Sequence, residues 1–233
     1  GFPIALVSAM LACGLTLKDI PCGKYGTLDK YVPDGDYVVV KFARWAFEKF
    51  KNVEDRLGTQ MRAVGEVMSI GKTYKEAFQK AVRSLETGRY GLGFARDYHT
   101  KSKEALLQML ITPSSDRHFI MYEALRKGAS VEEIFNITKV KTYFITQMKE
   151  LVEEEEALAA AKGTLPSDEM LISAKKNGFS DKYLSQILEV SEDSIRNRRI
   201  ELGVEETWEG VHVSGTQDSA YYYSTYNGED RNP

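Results

Sequence analysis

The 233-residue chain has only two cysteines, Cys13 and Cys22. Two cysteines build no disulfide framework, and no second pair completes a zinc site. A reducing setting such as the cytoplasm is the simplest expectation. Excess positive charge is also missing: the formal net charge is −3 and the pI about 5.8. A general nucleic-acid binder usually carries a basic field. No apolar run reaches the length of a bilayer span. The longest, from Phe2 to Cys13, lacks an initiator Met and a basic flank, so it is read as a buried helix rather than a signal peptide. That abrupt apolar opening leads us to expect an excised segment. Histidine is scarce too. His99, His118 and His212 lie far apart without ligand spacing, and each is expected at a surface or interface.

A complete phosphate-binding loop is absent. Gly71-Lys72-Thr73 invites that reading, but the loop requires a glycine five residues before Gly71. Glu66 stands there, and its carboxylate would repel phosphate. The turn-plus-cap reading is preferred. Val67 and Ile70 suit a strand, Gly71 breaks it, and Thr73 with Glu76 spells a capping box. Ala77, Phe78, Ala81, Val82 and Leu85 then share one helical face, with Gly88 as its stop.

Around this unit the chain changes character. Residues 3–13 read as a helix, 21–35 as a Gly/Pro/Asp loop, and Asp36–Lys41 as a short strand buried on both faces. Residues 90–100 read as a linker. Beyond them, helices are expected over 103–111, 117–127, 130–138, 140–161, 167–176, 180–188 and 191–202. Short capped helices at this density predict an all-α domain. The run Glu153–Glu156 reads as a solvated helix face. Arg117 is expected to be structural, and Tyr221–Tyr223 an aromatic packing edge. Residues 180–204 have the rhythm of a helix-turn-helix, with Arg198 and Arg199 on the second helix. A helical interaction or DNA-binding module is therefore the alternative function. A third is an independent nucleotide-binding enzyme.

Several stretches resemble the large chain of carbamoyl phosphate synthetase. They are Gly1–Phe50, Arg56–Arg62 with Val64–Thr73, Ser114–Thr138, Ala174–Leu188 and Tyr223–Tyr226. The resemblance covers nearly all the chain. Val40, Ala43, the loop Val32–Asp36 and the segment His212–Asp218 depart from the family pattern. It implies a mainly α fold in which an α/β remnant of an ATP-grasp domain (1–92) precedes an all-α oligomerisation domain (93–206). Residues 207–233 are a tail toward the second synthetase half. The complete ligase would make carbamoyl phosphate from bicarbonate, glutamine-derived ammonia and two ATP, for pyrimidine and arginine synthesis. It would use ATP, Mg and K with a glutaminase small subunit as partner.

This segment starts after the family's metal- and phosphate-holding strand. It is therefore expected to hold no catalytic residue, metal site or cofactor. Its partners would be the remaining domains of the large chain and a second copy of itself, with no nucleic acid and no membrane. The resemblance places Glu66 on the passage taken by unstable intermediates. The competing structural reading is an ion pair of Glu66 with Arg56 or Arg62 on a buried strand. Self-association is expected through the helix 117–127, because Met121 and Leu125 share one apolar face.

Overall fold

A computed structural model describes residues 3–33, 35–45, 47, 53–94, 98–211 and 221–228. Helix α1 (Ile4–Ala12) follows Pro3, as expected. No residue of it is buried: Ile4 is 69% and Leu6 55% exposed. The expectation of a buried helix fails because the described residues cover it only in part, at Val7 and Met10. Two single turns, Gly23–Tyr25 and Leu28–Lys30, lead onward from it.

Strand β1 (Val38–Trp45) pairs antiparallel with β2 (Ala63–Gly71), in a register that sets Phe42 opposite Val67 and Ala43 opposite Glu66. Burial of β1 on both faces is not observed. Phe42 points inward, while Val39 and Lys41 face out. A two-stranded antiparallel ribbon covered on one side alternates in this way. Helix α2 (Tyr74–Ser84) supplies the cover, burying Ala77, Phe78, Ala81 and Val82.

Seven more helices follow: α3 (Lys103–Met109), α4 (Arg117–Arg126), α5 (Val131–Thr138), α6 (Thr142–Ala159), α7 (Asp168–Lys176), α8 (Asp181–Leu188) and α9 (Glu192–Glu201). Five of their starts carry serine caps, whereas Asp116 before α4 and Lys141 before α6 make no side-chain cap bond. Ser102, Ser130, Ser167, Ser180 and Ser191 each accept a hydrogen bond from the backbone N–H three residues on. These bonds satisfy donors that a helix start leaves open. Ser130 and Glu133 form a full capping box. A second ribbon, β3 (Thr207–Gly210) with β4 (Tyr222–Thr225), closes the described chain and lies against β2.

The molecule is mainly α with two small two-stranded sheets. One apolar cluster runs from Phe42 and Phe78 through Leu92, Leu106, Ile120 and Leu151 to Ile195. The expected linker over 90–100 therefore passes through packed interior at Leu92, which is 1% exposed. Tyr98, also buried, donates its hydroxyl to Asp116 at 2.6 Å. Residues 95–97 of that stretch lie outside the described residues.

Candidate functional site

Glu76 sits where three segments meet. The sequence reads it as the reciprocal half of a capping box. Thr73 does accept from the Glu76 N–H at 3.2 Å. The Glu76 carboxylate turns elsewhere. Its Oε2 accepts from the Lys72 N–H (2.8 Å), the Thr225 hydroxyl (2.9 Å) and the Asn227 side-chain amide (3.2 Å). Its Oε1 accepts from the Tyr226 N–H at 3.3 Å. The residue is 2% exposed, yet its carboxylate is solvated by protein donors, which is what a buried charge requires. Gly71 makes room: a Cβ there would lie 2.9 Å from Glu76 Oε2. The Gly71-Lys72-Thr73 turn thus encloses a carboxylate, not a phosphate.

Neighbouring lysines strengthen the junction. Lys80 donates to the carbonyls of Ile70 on β2 (2.7 Å) and Ser224 on β4 (2.6 Å). Lys72 bridges Asp36 (2.7 Å) and Glu209 (3.0 Å). Burial opposes the Lys72 charge, but these two carboxylates hold its pKa above the usual lysine value. Burial pulls the pKa values of Lys80 and Arg83 down. Both line an open groove of about 740 Å³ with Lys175, Arg199, Trp208 and Tyr226.

A second buried carboxylate corrects the reading of Glu153–Glu156 as solvated. Glu153 and Glu156 face solvent, but Glu155 is 1% exposed. It accepts from the hydroxyls of Tyr122 (2.5 Å) and Tyr183 (2.6 Å) and pairs with Arg126 (2.5 Å). Arg126 also bonds Glu156 and Glu123. The Tyr183 hydroxyl in turn accepts from the Gly93 N–H at 2.9 Å. This network fastens the 91–94 loop to α4, α6 and α8. Burial, followed by the nearby Glu155 charge, raises both tyrosine pKa values well above 10.

The residues singled out from sequence fare unequally. Glu66 is on β2 as expected, but its side chain is 58% exposed and pairs with Lys41 at 2.8 Å, not with Arg56 or Arg62. Strand β2 is covered on one face only, so the expected burial cost does not arise. Met121 and Leu125 are 2% and 6% exposed within the core. Neither is presented at the surface of this chain, because α4 is buried on several sides rather than along one stripe. His118 is half-buried, with its ring turned into the core. Its ring lies 4.9 Å from that of Phe42 and 5.7 Å from that of Phe78. Burial, then the Arg117 charge, lowers its pKa to about 4. His99 is exposed, whereas His212 falls outside the described residues. Tyr223 is buried beside Tyr37, while Tyr221 and Tyr222 are exposed, so only one ring of the three packs inward.

The basic helix of the helix-turn-helix pattern is already engaged. Arg198 bonds Asp168 (2.7 Å) and Glu201 (2.9 Å), and Arg199 bonds Asp181 (2.8 Å). A helix that reads bases needs such side chains available to the groove. Among the described residues, no cluster of three or more His, Cys, Asp or Glu could hold a metal ion. No helix among them is long and apolar enough to cross a membrane.

Residues 66–203 match the family model described as the carbamoyl-phosphate synthetase large chain, oligomerisation domain. The chain is 41% identical over 238 residues to the carbamoyl phosphate synthase large chain of Archaeoglobus fulgidus, covering 99% of this chain and 22% of that one. It is 39% identical over 245 residues to the large chain, N-terminal section, of Methanopyrus kandleri, covering 98% and 43%. The arginine-specific, chloroplastic large chain of Arabidopsis thaliana is 39% identical over 234 residues, covering 98% and 20%. This chain therefore spans from a fifth to under half the length of these relatives.

Proposed function

Because the chain belongs to the carbamoyl-phosphate synthetase large-chain family, through its oligomerisation domain, we propose that it is the assembly and spacer segment of such an enzyme. The match of residues 66–203 carries this reading. In it, residues upstream of β2 are the end of an ATP-grasp domain. The exposed apolar side chains of α1 and of the outer ribbon face, among them Ile4, Leu6, Val39 and Met68, dock on the rest of that domain. Patches of this kind mark interaction surfaces.

The complete enzyme would form carbamoyl phosphate in the cytoplasm from bicarbonate, glutamine-derived ammonia and ATP, with a glutaminase small subunit beside the large chain. ATP, Mg and K would be held by parts of the protein outside this segment. The carboxylate-enclosing turn at Gly71 and the prior engagement of Lys72 do not fit a nucleotide. Glu66, exposed on the outer ribbon face, would contribute to the wall of the passage between the two reaction centres. The helical unit would join two copies of the large chain.

Sedimentation equilibrium over a wide concentration range tests the assembly role. A concentration-dependent dimer is expected. A strict monomer both for this chain and for the full large chain would overturn self-association.

A further inference from the structure

We infer that Glu76 is a positioning residue that ties the departing chain at 222–228 to the strand carrying Glu66, so that displacement of one is transmitted to the other. The transmission to catalysis rests on the functional reading above. The tie itself rests on geometry alone.

One carboxylate is shared between two segments that are distant in sequence. The Lys72 N–H, directly after β2, and the Thr225 hydroxyl, at the end of β4, both donate to Glu76 Oε2, at 2.8 and 2.9 Å. Lys80 makes a second tie between the same strands through Ile70 and Ser224. Asn227 adds a third, donating both to Glu76 and to the Lys176 carbonyl at the end of α7. Glu76 therefore joins the turn after β2 to the tail, and Asn227 extends the link to α7.

The character of the tie matters as much as its position. Apolar anchoring of the second ribbon comes from Tyr223, which is 5% exposed beside Tyr37, while Trp208 and Tyr222 are 57% and 47% exposed. The rest of its attachment is polar: the Lys80 and Thr225 bonds are charge-assisted and directional, at 2.6 and 2.9 Å. Removing one donor leaves a buried carboxylate under-compensated, so release is a step rather than a gradual slackening. A linkage of this kind carries a change at one end to the other, because it has discrete made and broken states.

The test uses the full large chain containing this segment, with Thr225→Val and the conservative Thr225→Ser. Two quantities are read: hydrogen exchange at the Lys72 and Tyr226 amides, and ATP consumed per carbamoyl phosphate formed. In Thr225→Val, exchange at Lys72 should be on the order of tenfold faster, as expected for loss of one charge-assisted hydrogen bond. ATP consumption per product should rise above wild type, because intermediates escape from a misaligned passage. Thr225→Ser should restore both. Unchanged exchange at Lys72 in Thr225→Val would overturn the tie. Faster exchange with wild-type ATP use would overturn its transmission to catalysis. A wild-type chain that makes no carbamoyl phosphate would overturn the functional reading and the transmission together, while the exchange measurement still judges the tie.

Discussion

Glu76 and Thr225 are 149 positions apart in sequence and share a 2.9 Å hydrogen bond in the buried interior. Replacing Glu76 with Ala removes the acceptor for four donors. The expected loss is about 3 kcal/mol of unfolding free energy, as for a broken buried polar network. Urea denaturation of the full large chain checks it. A loss below about 0.5 kcal/mol, the range of ordinary surface substitutions, would contradict the network's role.

Gly93 and Tyr183 touch without room for a side chain. A Cβ at Gly93 would lie 2.5 Å from the Tyr183 hydroxyl and 2.3 Å from Glu155 Oε1. Gly93→Ala must displace the Tyr183–Glu155 pair or the loop. The expected cost is about 2 kcal/mol, within the range for overpacking. A lowered thermal midpoint with native helix content would show it, and an unchanged midpoint would not fit this geometry.

His118 gives the fold a pH dependence of defined sign. Its pKa falls from 6.5 to about 4 on folding, through burial and then the Arg117 charge. The unfolded chain therefore binds more protons between these values. The contribution is fully present above the unfolded pKa and is lost as pH falls toward about 4. The difference amounts to about 3 kcal/mol. His118→Phe, which fits the contacts with Phe42 and Phe78, should flatten the stability profile between pH 7 and 4. An unchanged slope would contradict this assignment.

Leu125→Glu should unfold α4 rather than separate two copies. Leu125 is 6% exposed, and an unpaired carboxylate in that position costs on the order of 4 kcal/mol. Circular dichroism should show loss of helix at the temperature where wild type is folded. A folded variant with altered oligomeric state would restore Leu125 as an interface residue.

Much of the fold was legible because its signals are local. Serine caps, glycine stops and the spacing of Ala77, Phe78, Ala81 and Val82 all act within a few residues. The same reasoning mistook Glu76 for a local cap and Glu155 for a solvated residue, because the donors that satisfy them come from other elements. The apolar spacing of Met121 and Leu125 gave a correct helix but an incorrect surface. A stripe records which side chains avoid water, not which neighbour covers them.

What the sequence determined by itself was the succession of helices from α2 to α9, five of their serine-capped starts and the family resemblance, all encoded in short-range patterns. Tertiary structure decided that the Gly71 turn encloses a carboxylate, that Lys41 rather than Arg56 or Arg62 meets Glu66, and that residues 222–228 return to β2. Those outcomes depend on which donors fold back to a buried charge. Contacts between segments up to 151 residues apart leave no periodicity in the sequence from which to read them.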